Sequence, residues 1–136
     1  MLTSEKQLKA SIKALSVLME AIEAPVNPDI PAMLVKANRR KVQQKIDAIQ
    51  AEIDEYQSLK TLAVSEIKVN SLVDLLKAPI RYRISKGETV DAFAKEVSVN
   101  KRQILRYEEK AYENCSIPTL MQILEKIGMH IEGHIE

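Results

Sequence analysis

Apolar residues recur near the start of the chain as Leu8, Ile12, Leu15, Met19 and Ile22, at spacings of 4, 3, 4 and 3. That period holds one narrow seam on one side of a helix. Thr3 or Ser4 precedes a charged first turn and can cap it. The segment APVNPDIP, residues 24–31, contains three prolines and must break the helix. A second seam follows in Val42, Ile46, Ile49, Ile53 and Tyr56, with the same 4, 3, 4, 3 spacing. Two seamed helices joined by a short proline loop predict an antiparallel, coiled-coil-like hairpin. At about 1.5 Å per residue its arms are about 30 Å and about 45 Å long. The longer arm leaves seam for another chain, or for the following domain, to cover.

The heptad is lost over residues 63–71, and the pattern then changes to short helices separated by turns. A boundary near residue 68 follows, with residues 1–67 as a dimerisation or partner-binding arm and residues 68–136 as a second domain. Leu72 to Lys86 reads as a helix stopped by Gly87; Pro79 either kinks it or marks the start of its regular part near Ala78. Thr89 caps VDAFAKEV, Asn100 caps KRQILRYEE, and Ser116 caps IPTLMQILEKI, which Gly128 ends. The final MHIEGHIE alternates, which suits either a short C-terminal β-strand pairing with a symmetry mate or a disordered tail. The fold class expected is all-α.

Two short helices joined by about four residues form a helix-turn-helix, whose second helix is presented to the DNA major groove. The small Ala94 lets the two approach closely. The stretch RISKGETVDAFAKEVSVNKRQILRYE resembles the lambda-repressor-like (Xre) helix-turn-helix family over roughly residues 72–129. The seams and IDAIQAEIDEYQSLK ahead of it are similar to bacterial members that carry an N-terminal helical hairpin. The resemblance implies that Lys101, Arg102 and Arg106 read base edges, that Ile104 is core, and that Tyr107 packs beneath the helix. It implies a wider DNA-binding set that adds Gln103, Asn100, Thr89 and Lys86, and a structural pair between Arg83 and Glu108. The chain departs from the family pattern at Val90, where a phosphate-holding Gln is usual, at Ser98, where Gly is usual, and at Leu105.

Net charge is only +1, so any case for nucleic acid must be local. From residue 77 to 106 there are eight cations (Lys77, Arg81, Arg83, Lys86, Lys95, Lys101, Arg102, Arg106) against Glu88, Asp91 and Glu96. A local surplus of this kind is what phosphate neutralisation needs, and Arg and Lys suit guanine O6 and N7. Glu108, Glu109 and Glu113 follow, which assigns base reading to the N-terminal part of the helix.

Cys115 has no partner within the chain, and no apolar run reaches the length of a membrane span. The start lacks the basic-then-apolar order of a signal peptide, so a cytoplasmic protein is expected. No nucleophile motif or Gly-rich loop supports catalysis; His130, Glu132 and His134 could ligate a metal, but the tail offers no further fixed ligand, so no cofactor is expected. The expected function is a dimeric, sequence-specific transcriptional regulator on double-stranded DNA. The alternative is an antitoxin that autoregulates its operon and neutralises a protein toxin; a coiled-coil scaffold that has lost DNA binding is a third reading.

Overall fold

The computed structural model describes residues 1–136 and contains six α-helices, one 3-10 turn and no β-strand. The chain divides into two compact units, Met1–Ser58 and Leu59–Glu136. That division falls ahead of the boundary placed near residue 68. Leu59 is buried, and the Ser85 hydroxyl donates to the Leu62 carbonyl, so the stretch after Ser58 is already tied to the second unit.

In the first unit, α1 (Glu5–Glu23) starts at Ser4, whose hydroxyl accepts from the Gln7 amide. The prolines at 25, 28 and 31 then do what their missing N–H dictates. Asn27 closes the loop, its side chain accepting from the Asp29 amide at 2.9 Å, and α2 (Ala32–Thr61) begins directly after Pro31. The Met1 amine lies 3.5 Å from Glu52, and the Tyr56 hydroxyl lies 3.4 Å from Glu5. The start of α1 therefore sits beside the later part of α2.

The inward face of α1 differs from the expected seam. Leu8 is buried and Leu15, Leu18 and Ile22 are half-buried, while Ile12 and Met19 are 47% and 49% exposed. Both stripes share Leu8, Leu15 and Ile22, and the helix has turned its Ser11–Leu18 side inward. On α2 the expected residues face inward: Ile53 and Tyr56 are buried, and Val42, Ile46 and Ile49 half-buried.

The second unit opens with the 3-10 turn Val64–Glu66, which packs on α3 (Leu72–Lys86). Ser71 caps α3 by accepting from the Asp74 amide, and the helix runs through Pro79 without a break. Gly87 ends it at φ 72°, a left-handed conformation that glycine takes without a Cβ penalty. Thr89 and Asn100 cap α4 (Val90–Glu96) and α5 (Lys101–Glu109), accepting from the amides of Ala92 and Arg102. Ser116 caps α6 (Ile117–Lys126), which packs on α3, while α4 packs on α5. Ile80, Phe93, Val97, Ile104, Tyr112 and Ile123 are fully buried at the centre. At about 1.5–3 kcal/mol for each large apolar side chain, this cluster is the main source of the unit's stability.

Residues 129–136 form no strand. Their alternation survives only as short-range pairs, His130 to Glu132 at 2.9 Å and His134 to Glu136 at 3.7 Å. An extended strand needs ladder hydrogen bonds to a neighbouring backbone, and residues 130–136 make none. No helix is long and apolar enough to cross a membrane.

Candidate nucleic-acid interface

The turn between α4 and α5 is tight because two backbone bonds close it: Ser98 N–H to the Lys95 carbonyl at 3.3 Å, and Val99 N–H to the Ala94 carbonyl at 3.0 Å. Closing it this way puts Ser98 at φ 57°, a left-handed conformation that favours glycine. Ala94 is buried where the two helices meet. The Gln122 side chain donates to the Val97 carbonyl at 3.3 Å and so ties α6 to the turn.

The side chains of α5 divide cleanly. Ile104 and Glu108 are buried and Tyr107 is half-buried, whereas Lys101, Arg102, Gln103, Leu105 and Arg106 are exposed. At about 100° per residue, Arg102, Leu105 and Arg106 occupy one outward arc of roughly 100°, with Lys101 about 40° beyond it. None of the side chains of Lys101, Arg102 and Arg106 pairs with a carboxylate within 4.0 Å. The Asn100 side chain is engaged as the cap, and the Thr89 hydroxyl is likewise held by the Ala92 amide. At the far end of α5, the Asn114 side chain donates to the Arg106 carbonyl at 3.1 Å.

The inward side of α5 is held by a two-point ion pair. Arg83 Nε and Nη2 donate to Glu108 Oε2 and Oε1, each at 2.7 Å, and Nη1 donates to the Glu88 carbonyl at 3.0 Å. Both side chains are almost closed to water, at 7% and 5% exposure. The fork geometry fixes the rotation of α5 relative to α3, and with it the direction in which the outward arc points.

Pairing also changes the meaning of the charge surplus. Arg81 pairs with Asp74 at 3.0 Å and Lys95 with Asp91 at 3.6 Å. Lys86 is paired although exposed: its ammonium is 3.0 Å from Glu88, 3.0 Å from Glu96 and 2.9 Å from the Tyr82 hydroxyl. Those three contacts, Tyr82 first, push the Lys86 pKa well above its usual value. Two carboxylates around one ammonium leave this spot net negative, so Lys86 is not a free phosphate contact. With Arg83 also paired, half of the eight cations counted along the sequence are locally neutralised. The remaining four are Lys77, Lys101, Arg102 and Arg106, three of them on α5.

Of the Tyr82–Lys86–Glu88–Glu96 cluster only the Tyr82–Lys86 spacing of four on α3 is a local signal; Glu96 joins it from α4 and only folding brings it there. Burial, and then the neighbouring Glu96, raise the Glu88 carboxyl above the ordinary range. Tyr82 donates to Glu96 at 2.5 Å, and burial raises its phenol as well. No group of three or more His, Cys, Asp or Glu side chains comes together to hold a metal ion. No protein-family model, curated protein or solved structure matches the chain.

Proposed function

We propose that the protein is a sequence-specific DNA-binding transcriptional regulator that reads a pseudo-palindromic operator as a homodimer. In this reading α4, the turn and α5 are a lambda-repressor-like helix-turn-helix, and the first unit is a helical hairpin that serves as the dimerisation arm. The observation that carries it is the outward arc of α5, where Lys101, Arg102 and Arg106 stand exposed and without carboxylate partners. Such cations exchange water and counterions for phosphate oxygens, and Arg or Lys in the groove matches guanine O6 and N7. Lys101 and Arg102 lie in the first turn of α5, where the helix N-terminus also favours an anion.

The other residues take supporting roles. Asn100 and Thr89 place the starts of α5 and α4, Gln103 flanks the outward arc, and the Arg83–Glu108 pair sets the angle of α5. Lys86 acts only at long range, because Glu88 and Glu96 cancel its charge. Selection of bound sequences from a random DNA pool at fixed salt tests binding, base preference and spacing together. The expected result is a site with two half-sites about 34 Å apart. Replacing Arg102 by alanine should relax preference at one base pair, by about 1–3 kcal/mol. Unchanged preference in that variant refutes the docking.

A second reading draws on the exposed Met33 and Leu34 at the loop end of the first unit, 82% and 61% accessible. Apolar side chains this open suit a protein partner. An antitoxin that autoregulates its operon and neutralises a toxin through this arm would use them. A small ribonuclease that co-purifies with the chain, and fails to do so when Met33 and Leu34 are replaced by serine, would favour that reading.

A further inference from the structure

The second helix of the first unit has a polarity that its own unit does not fully answer. Over residues 36–45, α2 carries five cations (Lys36, Arg39, Arg40, Lys41 and Lys45) and no acid; over residues 47–55 it carries Asp47, Glu52, Asp54 and Glu55 and no cation. This runs in the same sense as the helix macrodipole, so the backbone adds to the separation and does not offset it. The first turn of α2 has no acidic residue, and none of the five cations has a carboxylate within 4.0 Å. Counting Glu20, Glu23 and Asp29 against those five leaves +2 at the loop end. Counting Lys6, Lys9, Lys13 and the Met1 amine against the four acids and Glu5 leaves −1 at the other.

Apolar burial in this unit is likewise incomplete. Two helices enclose a seam from one side only, so Leu15, Ile22, Val42, Ile46 and Ile49 stay half-exposed, and Ile12 and Met19 more so. Arg39 continues the α2 seam, four positions after Val35 and three before Val42, and puts a cation in the column that a covering chain would meet. A covering element must therefore bring apolar surface along its whole length, and must be acidic at one end and basic at the other. A second copy of this unit, turned end for end, has both properties.

We propose that the first unit associates with a second copy with the two α2 helices antiparallel, the residue 36–45 half of each lying along the residue 47–55 half of the other. This rests on the reading of the unit as the dimerisation arm and supplies its geometry: a closed two-fold contact in which each helix dipole opposes its mate's. Parallel alignment would set like charge on like charge at both ends.

The test is sedimentation equilibrium of the full chain across the micromolar range, with helix content checked by circular dichroism. A dimer is expected, weakening by about tenfold as salt shortens the screening length. R40E with K41E, and separately D47K with D54K, should each weaken it by about tenfold, since each reversal turns attraction into repulsion at both symmetry-related ends. All four substitutions in one chain should restore it to within about threefold, and the two double variants mixed should pair with each other. A monomer at every concentration overturns the proposal. So does a dimer that neither double variant weakens, which would place the contact elsewhere while leaving the DNA reading intact. If the random-pool selection returns no site while the reversals behave as stated, the DNA reading fails and this contact stands.

Discussion

Replacing Glu108 by alanine leaves the Arg83 guanidinium buried at 7% exposure with its two 2.7 Å contacts gone. Breaking a buried pair from one side costs about 3–5 kcal/mol, because the remaining charge is shielded from water and has lost its carboxylate. The unit that contains it, Leu59–Glu136, has 78 residues and a total stability of about 4–12 kcal/mol at ordinary values per residue. The variant is therefore expected to melt at least about 12 °C lower, and in the less stable part of that range to be unfolded at room temperature. Replacing both partners by methionine removes the uncompensated charge and keeps most of the volume, while the Glu88 carbonyl loses its 3.0 Å donor. That double variant should lie within about 2 kcal/mol of the parent. Thermal and denaturant unfolding followed by near-ultraviolet circular dichroism reports the right unit, since Tyr82, Tyr107 and Tyr112 lie in it and only Tyr56 lies outside. A loss below about 1 kcal/mol for Glu108→Ala, or a double variant as unstable as the single one, would refute the view that the pair is closed to water.

Three further outcomes follow from the same unit. The Tyr112 hydroxyl is fully buried without a hydrogen-bond partner, so Tyr112→Phe should raise stability by about 1 kcal/mol in a denaturant melt; an equal loss would reveal an internal water bonded to it. Ser98 sits at φ 57°, so Ser98→Gly should relieve a left-handed side chain and stabilise by about 0.5–1 kcal/mol, and a destabilised variant would mean the serine makes a compensating contact. Burial and Glu96 raise the Glu88 carboxyl, so it binds a proton more tightly folded than unfolded; its contribution is present at low pH and lost as pH rises through the raised value. Glu88→Gln should flatten that fall in melting temperature as pH rises above the ordinary carboxylate range, and an unchanged slope would assign it to another group.

Much of the architecture was legible because helix ends are local chemistry. Ser4, Thr89, Asn100 and Ser116 each accept from an amide two or three residues on, and Gly87 and Gly128 adopt the left-handed conformation that stops a helix. Such bonds need no distant partner, so a cap residue followed by an apolar period announces them. The outward cations of α5 were legible for the same reason, since Ile104 and Tyr107 define its inner side by their spacing.

What depends on contacts between elements was not legible in the same way. The apolar period of α1 admits two stripes with Leu8, Leu15 and Ile22 in common, and only packing selects Leu18 over Ile12 and Met19 for the inner face. A cation count along the chain treats Lys86 and Arg102 alike. Folding pairs Lys86 with Glu88 and Glu96, ten and fewer positions away, and leaves Arg102 without a carboxylate. The compact units divide after Ser58, and the Leu62 carbonyl accepts from Ser85, a contact 23 positions away in sequence. Local bonding chose where the helices start and stop. Which faces they bury, and which charges stay free for a partner, was decided by the Coulomb and packing terms that exist only once the helices meet.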